Sequence, residues 1–326
     1  MSAPVLEVRN LTRHFRGRGG AAALKAVDGV SLSIAEGSTL GVVGESGSGK
    51  TTLARLVMAL DRPTAGEVIF AGHDLFAEPP AELARLRRGF QMVFQDPYGS
   101  LDPRMSVGRI IAEPLHLEPS APRGAARRAR VAEVLAEVGL EPSNAVRRPH
   151  QFSGGQRQLI AIARALISRP RLVIADEPVS ALDLSVQAQV LNLLMDLRDR
   201  ERLAFLFISH NLAVVEFLAD RIAVMYRGRF VETGPAEEIF RRPMHPYTRL
   251  LLESEPHVDA PRRHGKRLDR ATAATPSVES GAADWASACA FALRCPHATM
   301  DCRTVTPKTT ALAADHAVTC HYAGTI

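Results

Sequence analysis

The chain has 326 residues, 46% of them hydrophobic and 23% charged, with a mean hydropathy of -0.02. These values exclude wholesale disorder and fibrous repeats and suggest one large domain with an appendix, or two domains. The net charge of +5 and the pI of about 9.3 permit nucleic acid, anionic lipid or phosphate ligands without selecting among them.

No apolar run approaches the ~20 residues of a spanning helix, and residues 1–9 lack the apolar core of a signal peptide. The chain is therefore expected in the cytosol, with a peripheral seat on a membrane protein left open. Leu6, Val8 and Leu11, then Val27, Val30, Leu32 and Ile34, alternate with polar residues and predict antiparallel strands. The apolar run 40–43 predicts a buried strand, and Leu53, Leu56, Val57 and Leu60 give helical spacing over 51–60. Prolines break up the stretch from Gln95 to Leu140, which holds an amphipathic helix over about 123–138. Helical periodicity over 156–167 and 185–200 alternates with two more buried strands, 172–175 and 203–209. Such alternation predicts an α/β fold with a largely parallel sheet. From Ser254 to Ala288 the composition turns to Pro, Ala, Ser, Thr and Arg. That stretch reads as a linker or irregular extension, and its basic run (Arg262, Arg263, Lys266, Arg267, Arg270) as a solvated surface.

Gly44, Glu45, Ser46, Gly47, Ser48, Gly49, Lys50 and Thr51 fit G-x-x-x-x-G-K-[ST] at every fixed position, with Thr52 next in the same turn. Glycines let backbone N–H groups turn inward around a polyphosphate, and the following helix aims its positive end at the same anion. Lys50 can reach the β- and γ-phosphates, and the Thr51 hydroxyl can ligate Mg²⁺. Asp176 and Glu177 close the buried strand 172–175, at the end where ligands bind in open parallel sheets. Asp176 is expected to hold Mg²⁺, directly or through water, and Glu177 to act as general base toward the attacking water.

Phe152, Ser153, Gly154, Gly155 and Gln156 resemble the ABC signature LSGGQ, with Phe in place of Leu. This opens a second anion-binding helix about a hundred residues after the first. The chain thus resembles the ATP-binding subunits of ABC transporters. The resemblance implies two subunits head to tail with two ATP molecules between them, Ser153, Gly154, Gly155 and Gln156 capping the γ-phosphate on the partner. It further implies that Gln95 is the Q-loop glutamine contacting Mg²⁺ and the attacking water, and that Asp183 ends the D-loop. His210 is then the switch histidine that senses the γ-phosphate, and Phe15 the aromatic that stacks on adenine. Leu159 and Asn211 depart from the family pattern, but neither removes a catalytic group. Residues 94–105, and His245, Pro246, Tyr247 and Thr248 followed by Leu250, Leu251, Leu252 and Pro256, resemble the oligopeptide/dipeptide importer ATPases.

The fold implied is a P-loop NTPase (RecA-like) core with an antiparallel β-subdomain, a helical signature subdomain over about 97–167, and a small irregular cysteine-bearing C-terminal extension. The ATPase domain is expected over 1–253 and the extension over 254–326. The implied function is the ATP-hydrolysing motor of an importer for peptides or a related small solute, peripheral on the cytoplasmic face of the plasma membrane. Its implied partners are a second ATPase (a sister chain or a second copy of this one), two polytopic permease subunits and, indirectly, an extracytoplasmic solute-binding protein. The surface 98–109, beside Gln95, is expected to dock a short helix of a membrane subunit. A soluble ABC ATPase acting on nucleic acid or ribosomes is the alternative, disfavoured by a single cassette without sustained heptads.

The four cysteines, Cys289, Cys295, Cys302 and Cys320, are separated by five, six and seventeen residues. A cytosolic chain should not carry a structural disulfide framework, so metal is the leading reading. The spacing matches neither zinc ribbons nor the bacterial ferredoxin run and does not choose the metal. Resemblance to the cysteine-bearing extension of peptide-importer ATPases implies a [4Fe–4S] cluster. A mixed Cys/His zinc site with His297, His316 and His321 is the rival.

Overall fold

Two sheets position everything that follows. The structure, a computed structural model, describes residues 4–16, 23–118, 120–180, 182–254, 288–313 and 315–325. The basic run at 262–270 and almost all of the expected linker lie outside the described residues. The strands are β1 (Leu6–Phe15), β2 (Leu24–Ile34), β3 (Thr39–Val43), β4 (Ala65–Phe70), β5 (His73–Asp74), β6 (Phe90–Val93), β7 (Leu172–Asp176), β8 (Ala204–Ser209), β9 (Arg221–Tyr226), β10 (Arg229–Pro235), β11 (Thr309–Ala313) and β12 (His316–Thr319).

The first sheet has the order β2–β1–β4–β5 and is antiparallel throughout. Its alternation is the one the sequence predicts, with Leu6 opposite Ile34 and Val8 opposite Leu32. The second sheet has the order β11–β12–β10–β9–β3–β8–β7–β6. Its strands from β9 to β6 are parallel, and the remaining three pair antiparallel.

The parallel strands are apolar on both faces because each face has its own core. In β7, Leu172 and Ile174 point into one core, and Val173 and Ala175 into the other. In β8, Ala204, Leu206 and Ile208 divide from Phe205 and Phe207 in the same way. The first core also takes Leu53, Leu56 and Val57 of the helix Lys50–Val57 and the inner face of the antiparallel sheet. The second takes the helices Val107–Ile111, Gly124–Glu137 and Gly154–Leu166 through Ile110, Val134 and Ile160.

The register of β6, β7 and β8 sets the site. Val93 lies opposite Ala175, and Ala175 opposite Phe207. Gln95, Glu177 and His210 follow these strands by one or two residues and emerge at one edge of the sheet.

The C-terminal extension is built into the same fold. The hairpin β11–β12 adds to the free side of β10, with Glu232 opposite Val318. Glu232 is buried, and its carboxylate accepts the N–H of Met244 (2.9 Å), the N–H of His245 (2.9 Å) and a bond from His316 Nε2 (2.8 Å). Three donors meet the requirement that a buried carboxylate be paired. Phe291 is buried in the second core against Tyr226, Tyr247 and His245.

Candidate active site

The loop from Gly44 to Gly49 joins β3 to the helix Lys50–Val57. Gly44 and Gly49 have φ of 153° and 110°. A Cβ on Gly44 would lie 2.2 Å from the Met225 carbonyl oxygen, and one on Gly49 would lie 2.1 Å from that of Ala26. Only glycine fits either position. No side chain caps the helix at Gly49, so its first N–H groups are left for an external acceptor.

Lys50 is buried and its Nζ donates to the carbonyls of Gly44 (2.7 Å) and Glu45 (2.9 Å). Burial pulls its ammonium below the ordinary lysine range, opposed by the charges of Glu177, Asp176 and Glu45. Asp176 ends β7 in the interior. Burial pushes its carboxyl up, against a hydrogen bond from the Thr51 hydroxyl, while the neighbouring Glu177 adds to the rise. Asp176 Oδ1 and Ser48 Oγ are buried without a hydrogen-bond partner among the described residues. An unpaired buried carboxylate oxygen beside a threonine hydroxyl, below an uncapped helix end, fits a Mg²⁺-bound polyphosphate.

Glu177 has φ of 49°, a left-handed turn that leads the chain out of β7, and its N–H donates to the Ile208 carbonyl (2.8 Å). Strain of this kind gathers at functional sites. Gln95 Nε2 donates to one carboxylate oxygen of Glu177 (2.8 Å), and His210 Nδ1 lies 3.0 Å from the other. Three residues separated by up to 115 positions in sequence are thus in direct contact.

Ser153 caps the helix Gly154–Leu166. Its Oγ accepts from Gln156 N–H (3.3 Å), and Gln156 Oε1 accepts from Ser153 N–H (3.1 Å). This capping box leaves both residues exposed. A Cβ on Gly155 would meet Val186 Cγ1 at 2.5 Å, so this glycine lets the helix Leu184–Glu201 approach closely. Asp183 precedes that helix and is exposed. Phe15 is 37% exposed at the end of β1, with the Arg13 guanidinium 4.5 Å from its ring centroid. The geometry therefore gathers Lys50, Thr51, Asp176, Glu177, Gln95 and His210, and leaves Phe15, Ser153, Gln156 and Asp183 on the surface.

The ABC transporter family pattern matches residues 27–180, and the oligopeptide/dipeptide transporter C-terminal region matches residues 231–302. A putative peptide import ATP-binding protein of Brucella ovis is 45% identical over 317 residues, covering 97% of each chain. The chain belongs to the ABC transporter family of ATP-binding subunits. The di/tripeptide transport ATP-binding protein DppF of Pseudomonas aeruginosa is also 45% identical, over 98% of each chain. Among solved structures, a dimeric ATP-binding cassette in a post-hydrolysis state with ADP and Pi matches with a TM-score of 0.65 and 31% identity. That match covers 71% of this chain and 98% of the other. ATP binding and hydrolysis are the family's activity, and the gathered residues are this ABC subunit's candidate machinery. No helix among the described residues is long and apolar enough to cross a membrane.

The four cysteines are free and line one pocket together with His245 and Phe291. Burial pushes the thiols of Cys289, Cys295 and Cys320 up. This does not carry the expected [4Fe–4S] cluster. Among the described residues, no group of three or more His, Cys, Asp or Glu side chains is arranged to hold a metal ion. The donor number is right for a cluster, but the thiols are not drawn together as ligands.

The sequence reading missed what surrounds Glu45. Arg294 holds its carboxylate from two sides (2.7 and 2.8 Å), and its N–H donates to Tyr247 Oη (2.9 Å). Tyr247 was visible as part of a family hallmark, but nothing local links it or Arg294 to the phosphate loop.

Proposed function

We propose that this chain is the ATP-hydrolysing motor subunit of an importer for peptides or a related small solute. The observation that carries this reading is the Glu177 carboxylate, held between Gln95 and His210 beside Asp176, Thr51 and Lys50. The N–H groups of the loop from Gly44 to Thr52 cradle the phosphates, and Lys50 exchanges two backbone carbonyls for the β- and γ-phosphates. Thr51, Asp176 and Gln95 are the residues that would hold Mg²⁺. When bound, that ion neutralises charge on the transferring phosphoryl oxygens. Glu177 takes the proton from the water that attacks the γ-phosphorus, and the bond to ADP breaks. Gln95 and His210 orient the carboxylate and the water. Phe15 stacks on adenine. Ser153, Gly154, Gly155 and Gln156 meet the γ-phosphate bound by a partner ATPase, with Asp183 at the same interface.

The exposed capping box at Ser153 and the dimeric structural relative support the two-subunit arrangement. The names of the relatives and the C-terminal region supply the peptide class. In this reading the chain pairs with a sister ATPase and two permease subunits at the cytoplasmic face of the plasma membrane. A solute-binding protein acts at one remove, and nucleic acid has no part. The test is affinity purification from detergent-solubilised membranes. Two polytopic membrane proteins should copurify, and peptide should stimulate ATP hydrolysis in the reconstituted complex. A chain that copurifies with no membrane protein, and whose ATPase responds to RNA instead, would overturn the importer reading.

The cysteine pocket belongs to this proposal only through its four thiol donors and the family region it lies in. Iron and sulfide analysis of anaerobically purified protein, with absorption near ~400 nm, tests whether these thiols take up a cluster that their arrangement does not carry. A colourless, metal-free chain removes the cluster.

A further inference from the structure

Glu45 is the first variable position of the phosphate loop, and every polar group it has is occupied. Its N–H donates to Tyr247 Oη (2.9 Å), its carbonyl accepts from Lys50 Nζ (2.9 Å), and its carboxylate takes both arms of Arg294 (2.7 and 2.8 Å). A carboxylate here is an electrostatic liability. It stands in a loop built to receive phosphates, and its charge reaches Lys50, the loop's own cation. A bidentate guanidinium answers that charge in a fixed plane.

The two groups that hold Glu45 come from the far end of the chain and are themselves held. Tyr247 is fully buried, with ring centroids 4.5 Å from Tyr226 and 5.5 Å from Phe291. Its N–H donates to His245 Nδ1 (3.0 Å), and burial keeps that imidazole neutral by lowering its pKa to about 4. Arg294 lies 5.9 Å over the Tyr226 ring and 5.8 Å over Phe291. Its backbone N–H and that of Cys295 both donate to the Phe291 carbonyl (3.0 Å each). The turn that presents Arg294 is therefore fixed by the aromatic cluster that also fixes Tyr247.

We propose that Arg294 and Tyr247 are positioning residues of the ATP site. They pin Glu45 and neutralise its carboxylate, so that the C-terminal region sets the affinity of the phosphate loop for nucleotide. The inference rests on the reading of this loop as the ATP site. It assigns Arg294 a task opposite to that of Lys50. Lys50 attracts the phosphates, whereas Arg294 removes a repulsion and touches no substrate.

The experiment is titration of the full chain with a fluorescent ATP analogue, together with steady-state ATPase kinetics. Arg294→Met keeps the stem packed on Tyr226 and Phe291 and removes the charge. Its nucleotide dissociation constant and KM should rise about tenfold, as for loss of one charge-assisted contact, with kcat changed less than about twofold. Adding Glu45→Gln to Arg294→Met should restore most of the affinity, because the repelling charge is then gone. Arg294→Lys should fall between wild type and Arg294→Met. Tyr247→Phe, which removes the acceptor of the Glu45 N–H, should raise KM severalfold without altering kcat. Unchanged affinity in Arg294→Met would overturn the proposal, as would a loss that Glu45→Gln does not relieve, since a merely structural arginine gives no such rescue. Lys50→Ala separates the two levels. If it binds nucleotide as wild type does, the ATP-site reading falls and takes this inference with it. If it loses binding while Arg294→Met does not, only the inference falls.

Discussion

Replacing Glu177 with glutamine separates chemistry from binding. The new side chain has the same shape, so both contacts of the carboxylate can persist. An amide oxygen can still face His210 Nδ1, now at 3.0 Å, and Gln95 can rotate its amide to accept where it now donates at 2.8 Å. The change to stability should be small, because no buried group is left unpaired. What disappears is the ability to accept a proton. General-base catalysis contributes about 10²–10⁴, so Glu177→Gln should raise the barrier by about 2.7–5.5 kcal/mol. Lys50, Thr51 and Asp176 are untouched, and nucleotide affinity should stay within a few fold of wild type. Phosphate release at saturating ATP measures the first effect, and titration with a fluorescent analogue the second. Gel filtration with ATP should reveal a stabilised dimer in the variant. Turnover within threefold of wild type would remove Glu177 from the role of base. Loss of nucleotide binding would show instead that the carboxylate shapes the loop.

Three further outcomes follow from the geometry. Gly49→Ala should weaken nucleotide binding by more than about tenfold, because its Cβ would lie 2.1 Å from the Ala26 carbonyl oxygen; the same titration checks it. Burial raises the Asp28 carboxyl, but Arg229 at 2.6 and 2.8 Å and His14 at 3.0 Å outweigh it, and the net shift is downward. A lowered folded pKa stabilises above the ordinary carboxylate value and is lost as pH falls through the folded one. Asp28→Asn should therefore cost about 1.5–3 kcal/mol at neutral pH, and its deficit in melting temperature should close in acid below about 3.8. The side chain of Arg104 is 88% exposed and ion-paired with Asp102. Arg104→Glu should leave ATPase activity intact and cut ATP-driven uptake in the reconstituted complex about tenfold, and full uptake would count against 98–109 as the coupling surface.

The phosphate loop was legible because its chemistry is local: eight consecutive residues carry the glycines, the cation and the hydroxyl. Ser153–Gln156 was legible for the same reason, since the signature it resembles is written within five consecutive residues, 152–156. The buried strands at 40–43, 172–175 and 203–209 were visible as apolar runs, and the helices around them agree with the structure to within a few residues. Sheet order was not visible. No spacing in the sequence says that β6 lies beside β7, and it is this adjacency that brings Gln95 to Glu177. β9 and β10 escaped notice although Gly228, with φ of 82°, marks the turn between them and Gly234 and Pro235 close β10. Hairpin β11–β12 shows no apolar alternation on its outer strand, where residues 309–313 are all exposed. Arg294 and Glu45 are 249 residues apart, in two segments of unrelated pattern. An ion pair of that kind is written by the whole fold and by no part of it.

Glu232 and His316 give the fold an order in time. The carboxylate is made 84 residues before the imidazole that completes its set of partners. At synthesis rates of 5–20 residues per second, the gap is roughly 4–17 s. Throughout that interval β10 is an open sheet edge. A nascent chain stopped short of β12 is thus marked as unfinished by an exposed edge and a carboxylate without its last donor. Full-length chains lose both marks in one step, when the final hairpin docks.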